Sequence, residues 1–314
     1  MLNIVFMGTP DFAVPSLKAL HNYGHNVIVV TQPDRPVGRG NKIRMPAVKA
    51  CALELGIPVY QYQSVKCDEC IEVIRSFNPD LFVTAAFGQI LNQTLLDIPL
   101  YGCINVHGSL LPKYRGAAPI QWAIINGEAV TGVTTMLTDV GLDTGDMLLS
   151  KEIHIEPDDT AASLFDKLAE LGAEVLVETI NKYVTGQIAP TKQAEVSSSY
   201  FPMINQQMAQ IDFAKTAKEI DFFVRGMYSW PIAYIKLKEG VFKIHKMHVE
   251  DGDGECGRIE AADTTNGLKI GTASGIVVID VIQAEGSRAM NANDYLRGHK
   301  IEVGQIANSE VIND

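Results

Sequence analysis

Short apolar runs alternate with helical patterns between residues 1 and 155, and this alternation limits the fold more than any other feature of the sequence. Residues 2–7 form an apolar run that ends at Gly8, and a helical pattern follows over residues 13–22. A strand, a glycine turn and a helix in this order begin a βαβ unit. Further apolar runs occur at 27–31, 80–86 and 103–107. We therefore predict an α/β fold with a doubly wound, mostly parallel sheet.

The composition is that of an ordinary globular protein, with 46% hydrophobic and 20% charged residues in 314. No apolar run approaches the roughly 20 residues of a membrane span, and the N-terminus has no basic leader. We therefore expect a cytoplasmic protein. The five cysteines have no disulfide-framework spacing. Cys67 and Cys70 have the spacing of a redox or zinc pair, but no second pair accompanies them, so no metal is expected.

The segment 32–44 is rich in proline, glycine and positive charge. Its prolines and glycines predict a loop without regular structure. Only Asp34 opposes its four cations, which are Arg35, Arg39, Lys42 and Arg44. The net charge of −11 argues against nucleic-acid binding through the charge of the whole protein, so this local cluster is informative. We predict that the loop contacts a polyanionic partner, with a solvated connection as the alternative.

Residues 185–206 lack sustained periodicity and predict an interdomain linker. A helical pattern and five short runs with strand spacing follow it, which is typical of a small barrel of the OB type. The predicted domains are 1–184, a catalytic domain, and 207–314, an OB-like domain. Four lysines on the first hairpin of the barrel form a second basic patch or a solvated surface: Lys236, Lys238, Lys243 and Lys246.

The strand at 103–107 has two polar side chains on one face, because Asn105 and His107 are separated by one residue. Asp143 follows in a loop whose glycines allow the backbone to fold around a ligand. An amide can stabilise an oxyanion, an imidazole can transfer a proton, and a carboxylate can orient the imidazole. These are the roles required for acyl transfer. Because the G-x-S-x-G elbow of serine hydrolases is absent, direct attack by a substrate amine on an acyl donor is favoured.

Three segments together resemble the signature of the folate-dependent formyltransferases. They are Asn105-Val106-His107-Gly108-Ser109-Leu110-Leu111-Pro112, residues 115–120 and residues 139–145. Residues 8–13, the basic loop and the OB-like domain resemble those members of the family that formylate methionyl initiator tRNA. The similarity extends over nearly the whole chain.

The resemblance implies transfer of a formyl group from 10-formyltetrahydrofolate to the α-amino group of methionine on initiator tRNA. It implies that Asn105 polarises the formyl oxygen, His107 acts as acid and base, and Asp143 tunes His107. The implied folate site comprises Phe87, Gly88, Gln89, Ile90, Leu91, Ser109, Leu110, Leu111, Pro112, Asp139, Val140 and Gly141. The basic loop would contact the tRNA acceptor stem, and Phe12 would lie near the methionyl side chain.

The segment 200–207 departs from the family pattern, because it lacks the lysines that the family usually has before the C-terminal domain. This weakens the case for linker lysines in tRNA binding. One alternative is a formyltransferase that acts on an amino sugar nucleotide or a purine precursor. A nicotinamide-dependent oxidoreductase would need the absent G-x-G-x-x-G fingerprint. A non-catalytic RNA-binding protein would leave Asn105, His107 and Asp143 unexplained. We expect a monomer that has no membrane partner.

Overall fold

The computed structural model describes residues 1–37, 42–194 and 198–309, and its contacts divide the chain into two compact units. Unit 1 comprises Met1–Pro119, Val130–His154 and Phe165–Phe201. Unit 2 comprises Ile120–Ala129, Ile155–Leu164 and the chain from Pro202 onward. The two units interleave along the chain, whereas the predicted domains are continuous. The domain boundaries proposed from the sequence, at residues 184 and 206, remain predictions.

Unit 1 is built on a seven-stranded sheet. The strands of the unit are β1 (Asn3–Gly8), β2 (Asn26–Thr31), β3 (Arg35–Val37), β4 (Lys42–Arg44), β5 (Val59–Gln61), β6 (Leu81–Ala85), β7 (Cys103–His107), β8 (Arg115–Gly116), β9 (Val130–Leu137), β10 (Met147–His154) and β11 (Tyr200–Phe201). The main sheet has the order β10-β9-β7-β6-β1-β2-β5. All five residues of β6 are buried, as expected for a strand covered on both faces.

The strands from β7 to β5 run parallel, and β9 and β10 extend the β7 edge in antiparallel fashion. This confirms the predicted mostly parallel sheet. The strands β2 and β5 lie on one side of β1, and the later strands β6, β7, β9 and β10 lie on its other side. The strand order therefore reverses between β1 and β6. Ligands in open α/β sheets bind at such a reversal, beyond the carboxyl ends of the strands. A ligand site is therefore expected at the sheet edge formed by the carboxyl ends of β1, β6 and β7.

Helices connect these strands. They are α1 (Val14–Asn22), α2 (Ala47–Glu54), α3 (Asp68–Phe77), α4 (Gln93–Leu96), α5 (Pro119–Ile125) and α6 (Ala161–Val184). The first turn of α3 contains Asp68 and Glu69 and its last turn contains Arg75, which is the favourable arrangement for the helix dipole.

The basic segment contains regular structure, which corrects the prediction of an irregular loop. Strands β3 and β4 pair as an antiparallel ribbon, with Arg35 opposite Arg44 and Pro36 opposite Ile43. Proline is tolerated here because a two-stranded ribbon consists of edge strands, where a missing N–H leaves no neighbour unpaired. We call residues 35–37 and 42–44 the basic hairpin.

The part of unit 2 that follows Pro202 contains a six-stranded antiparallel sheet and two helices. These elements are α7 (Ala217–Gly226), β12 (Tyr234–Leu237), β13 (Gly240–Glu250), β14 (Ile259–Asp263), β15 (Gly267–Gly271), β16 (Ile276–Ala284), β17 (Met290–Asn291) and α8 (Ala292–Gly298). A capping box formed by Thr216 and Glu219 begins α7. Bulges in β13 and β14 bend the sheet, and β12 and β14 are unpaired with each other among residues 198–309. This open, curled sheet confirms the predicted OB-like fold.

No helix in the described part of the chain is both long enough and apolar enough to cross a membrane.

Candidate active site

Asn105 lies on β7 with its amide oriented by the neighbouring strand. The register pairs it with Thr84 of β6, whose Oγ1 donates a hydrogen bond of 2.9 Å to Asn105 Oδ1. The amide nitrogen therefore points away from Thr84, and it has no hydrogen-bond acceptor among the described residues. A fixed amide with a free N–H can stabilise negative charge on a carbonyl oxygen.

His107 is the last residue of β7 and is buried, with 6% of its surface exposed. Its Nε2 lies 2.9 Å from the carbonyl oxygen of Tyr114. A carbonyl only accepts, so Nε2 carries the hydrogen, and in the neutral ring the lone pair is on Nδ1. Nδ1 lies 3.8 Å from Oδ1 of Asp143. This distance is too long for a direct hydrogen bond, so the Nδ1 lone pair is available to a substrate proton.

Asp143 has a left-handed backbone, with φ of 54°, in the loop between β9 and β10. Its Oδ2 accepts a hydrogen bond of 2.9 Å from the backbone N–H of Gly116, which fixes the carboxylate beside the imidazole. A carboxylate in this position stabilises the imidazolium that forms when Nδ1 takes up a proton. The structure thus brings Asn105, His107 and Asp143 together at one sheet edge. Because their catalytic roles are predicted from the sequence, we call these three residues the catalytic cluster.

Cys103 lies two residues before Asn105, with its Sγ 4.0 Å from Thr84 Oγ1. Burial raises the pKa of the Cys103 thiol to about 11, so the thiol stays neutral near pH 7 and is a poor nucleophile. In the Cys67 and Cys70 pair, Cys67 is exposed, and burial raises the pKa of the Cys70 thiol to about 12, so the Cys70 thiol stays neutral near pH 7. Among residues 1–37, 42–194 and 198–309, no three His, Cys, Asp or Glu side chains form a metal-binding group.

The predicted folate wall, Ser109 to Pro112, is held by buried side chains. Thr134 Oγ1 donates to the Ser109 carbonyl at 2.8 Å and accepts from the Leu111 N–H at 3.1 Å. Ser109 is itself fully buried, and its Oγ donates to the Lys113 carbonyl at 2.8 Å. The wall is therefore a rigid segment that follows directly from the catalytic strand.

The other predicted folate segments follow β6 and β9. Thr9 Oγ1 donates to the Phe87 carbonyl at 3.0 Å, which joins the loops after β1 and β6 at the reversal of strand order. Phe87 and Leu91 are core residues, and the Gln89 side chain bonds to backbone groups of residues 62 and 65. These three side chains have packing roles. Ile90 and Val140 are instead 65% and 63% exposed, which suits contact with the flat faces of the aromatic rings of a folate.

The loop after β9 is braced by its own side chains. Both oxygens of Asp139 accept from Thr144 Oγ1, and Oδ1 also accepts from the Gly141 N–H at 3.0 Å. A cavity of about 300 Å³ lies beside Asp139, with Cys103 and Leu137 among its lining residues. Asp139, Val140 and Gly141 thus lie on a braced loop, and of the predicted folate residues only Asp139 lines this cavity.

Phe12 lies in a short 3₁₀ turn after β1 and is only 5% exposed. Its ring packs edge-on against Phe165, with 5.3 Å between the ring centroids. Packing is therefore its observed role, and a contact with the methionyl side chain stays a prediction.

The four predicted tRNA-binding residues differ in what the structure describes. Arg35 and Arg44 are exposed, and Arg39 lies outside the described residues. Lys42 is described only as a backbone position in β4. Ile43, between Lys42 and Arg44, is 76% exposed.

Several residues that support the site were missed by sequence reasoning. The backbone carbonyl of Tyr114 accepts a hydrogen bond from His107, and the backbone N–H of Tyr114 donates one to Ser199 Oγ at 2.9 Å. Its ring stacks on Phe201 with centroids 4.8 Å apart. Gln193 bonds to Arg115 and to the Asp143 loop. Ser199, Phe201 and Gln193 all belong to the predicted linker, and no local pattern indicates them.

Comparison with known proteins agrees with this geometry. The family model "Formyl transferase" matches residues 2–180, and the model "Formyl transferase, C-terminal domain" matches residues 203–300. The chain belongs to the formyltransferase family. Two of its full-length relatives are methionyl-tRNA formyltransferases. The protein of Ruminiclostridium cellulolyticum is 48% identical over 309 residues, covering 97% of this chain and 99% of the relative. That of Clostridium perfringens is 49% identical over 308 residues, with the same coverage of both chains.

Solved structures show the same fold at low sequence identity. An N-formyltransferase from Helicobacter canadensis, in complex with folinic acid and dTDP-3-aminofucose, has a TM-score of 0.65 and 22% identity, covering 89% of this chain and 99% of that one. HypX from Aquifex aeolicus in complex with tetrahydrofolic acid has a TM-score of 0.64 and 18% identity, covering 97% of this chain and 50% of that one.

Proposed function

We propose that this protein transfers the formyl group of 10-formyltetrahydrofolate to the α-amino group of methionine on initiator tRNA, the reaction that prepares this tRNA for translation initiation. The observation that carries the proposal is the catalytic cluster, in which Asn105 offers a free amide N–H and His107 an Nδ1 lone pair. The relatives that are methionyl-tRNA formyltransferases support the choice of acceptor. We place the reaction in the cytoplasm and expect a monomer.

The residues present fit the folate donor, which supplies the formyl group when it is bound. Asn105 Nδ2 lacks a protein acceptor within the described ranges, as is needed for a group that binds a formyl oxygen. Ile90, Val140 and Leu142 expose apolar surface on the loops that flank the cluster. We assign these side chains and the Ser109 to Pro112 wall to the folate site.

Each member of the catalytic cluster has one role in this mechanism. Asn105 Nδ2 donates to the carbonyl oxygen as negative charge develops there. His107 Nδ1 accepts the proton of the attacking amine and later gives it to the leaving nitrogen of the donor. The Asp143 carboxylate stabilises the charged imidazole between these two steps, and the Tyr114 carbonyl holds the ring through Nε2.

The basic hairpin supports a nucleic-acid acceptor. Arg35 and Arg44 lie directly across from one another, an arrangement of like charges that destabilises a ribbon. A phosphate between the two guanidinium groups would relieve this repulsion. In unit 2, Lys236 and Lys246 are exposed and have no ion pair among residues 198–309, whereas Lys238 pairs with Glu302 at 2.9 Å. We assign the hairpin to tRNA backbone contacts, with these two lysines as a second contact.

A formylation assay with three acceptors tests the proposal. The purified protein and 10-formyltetrahydrofolate are incubated with methionyl initiator tRNA, free methionine or a dTDP-linked amino sugar. We expect rapid formylation of the tRNA only, because free methionine carries no phosphate and the amino sugar nucleotide offers one diphosphate where the acceptor stem offers a run of phosphates to the hairpin and to Lys236 and Lys246. Formylation of the amino sugar in preference to the tRNA would overturn the proposed acceptor, and no formylation of any amine would overturn the reaction.

A further inference from the structure

Gln193 connects the two backbone segments that fix the Asp143 carboxylate. Its Nε2 donates to the carbonyl oxygens of Asp143 and Gly145, at 2.9 and 2.7 Å. Its Oε1 accepts from Nε of Arg115 at 2.9 Å. Because Gly116 follows Arg115 and donates to the Asp143 side chain, these residues close a ring of hydrogen bonds around the carboxylate.

The chemistry of this position requires an amide. Two carbonyl oxygens need two N–H donors, and the Arg115 guanidinium needs an acceptor. A glutamine supplies both from one planar group, whereas a carboxylate would repel the carbonyls and an apolar chain would leave all three groups without a partner. The loop that Gln193 binds packs closely against β9, because a Cβ at Gly145 would overlap the Leu137 carbonyl oxygen.

The same stretch of chain supports the other side of the imidazole. Strand β11 pairs in parallel with β8, and Ser199 Oγ accepts from the Tyr114 N–H. Tyr114 in turn receives the hydrogen bond of His107 Nε2. The two partners of the imidazole, the Asp143 carboxylate and the Tyr114 carbonyl, are therefore both held by residues of the predicted linker.

We propose that Gln193 is a positioning residue for formyl transfer, which sets the Asp143 carboxylate relative to His107 without touching the reacting atoms. The inference rests on the proposed function. Displacement of a supporting group by about 1 Å can reduce a rate roughly 100-fold, so removal of this amide is expected to reduce kcat by about 10- to 100-fold.

The test is a double-mutant cycle in steady-state formyl transfer to methionyl-tRNA. Gln193→Met keeps the length of the side chain and removes its hydrogen bonds, and Ala194→Ser is the matched control at the next, exposed position. We expect Gln193→Met to lower kcat by about 10- to 100-fold without changing KM for methionyl-tRNA. In an Asp143→Asn background the same substitution should have an effect of less than about threefold, because residues that act through one group are not additive.

The outcomes separate the two proposals. If the wild-type protein does not formylate methionyl-tRNA, the proposed function is wrong. If it does, but Gln193→Met reacts at the wild-type rate or is slowed by the same factor in both backgrounds, Gln193 has no positioning role. Gln193→Glu is the second variant in case Gln193→Met does not fold, as judged by thermal unfolding. It keeps the acceptor for Arg115 but not the donors, and it should also be slow in the wild-type background only.

Discussion

Asn105 and His107 of the catalytic cluster lie on β7 and the basic hairpin follows β2 of the same sheet, but the cluster and the hairpin are held in opposite ways. The cluster is nearly buried, with the side chains of His107 and Asp143 only 7% and 14% exposed, and distant segments bond to its supports. The hairpin has exposed arginines and an exposed Ile43, and a polar network lies at its base. A reacting group needs fixed atoms, whereas a phosphate backbone can be met by charges that remain accessible.

The base of the hairpin shows how such a charged element is attached. The Asp34 carboxylate accepts from Lys49 Nζ, at 2.8 and 2.9 Å, and from Gln61 Nε2 at 2.8 Å. Gln32 links the hairpin to the folate loop, because Arg35 donates to its Oε1 while its Nε2 donates to the Phe87 carbonyl. The hydrogen-bond network therefore reaches Arg35, whereas the Arg44 side chain has no hydrogen bond among the described residues.

Removal of the proton carrier should have the largest effect. We expect His107→Ala to lower kcat by about 100- to 10,000-fold, the usual contribution of a general acid–base group. Affinity for methionyl-tRNA, measured by filter binding, should stay within about twofold because the hairpin is untouched. The matched control is His154→Ala, at an exposed position at the end of β10. A His107→Ala protein with near-normal turnover would show that another group carries the proton.

Loss of the amide donor should come next. Asn105→Ala removes the group that faces the formyl oxygen, and removal of one such donor costs roughly 100- to 1,000-fold in kcat. Thr84→Val keeps the amide but removes the hydrogen bond that orients it, so a smaller loss of roughly threefold to tenfold is expected. Equal losses in the two variants, measured by single-turnover kinetics, would contradict the idea that Thr84 only orients Asn105.

The hairpin should affect binding more than chemistry. Replacement of both Arg35 and Arg44 by Ala should weaken methionyl-tRNA binding by roughly tenfold or more. It should also reduce the slope of log affinity against log salt by about 1 for each phosphate that the variant no longer neutralises. The control removes two exposed cations elsewhere in unit 1, Lys66 and Arg75. If the control changes the slope as much, net charge and not the hairpin governs tRNA binding. If folate affinity falls instead, the assignment of the hairpin is wrong.

Removal of the Asp34 carboxylate at the base of the hairpin should have the smallest effect, and this effect on stability should depend on pH. Hydrogen bonds from Lys49 and Gln61 hold the pKa of the Asp34 carboxyl below its ordinary value near 3.8. The carboxylate therefore stabilises the fold at pH values above the unfolded-state pKa, and this contribution is lost as the pH falls through the lower folded-state value. Asp34→Asn should lower the free energy of unfolding at pH 7 and have less effect at pH 3, as measured by urea unfolding. Asp166→Asn, at an exposed position, should show no such difference.

The sequence predicts the cluster better than its supports, for a physical reason. Asn105 and His107 share a face because strands repeat every two residues, which is a local rule. Gln193 meets Asp143 and Arg115 across 50 and 78 residues of sequence, and no periodicity encodes that contact. The strands of the parallel sheet are predictable for the same reason, because each is a short apolar run. The basic hairpin could not be predicted in this way, because proline usually indicates the absence of a strand. An edge ribbon nevertheless tolerates Pro36.

The pairing of β11 with β8 has a consequence for exchanging domains among related proteins. A chimaera joined at residue 184 would keep every strand of the main sheet and all three cluster residues. The residues that hold Tyr114 and the Asp143 loop, however, would come from another protein in this chimaera. A chimaera joined after Phe201 would keep its own Gln193, Ser199 and Phe201. The segment that must be kept together with the active site therefore extends through Phe201, beyond β10 and α6.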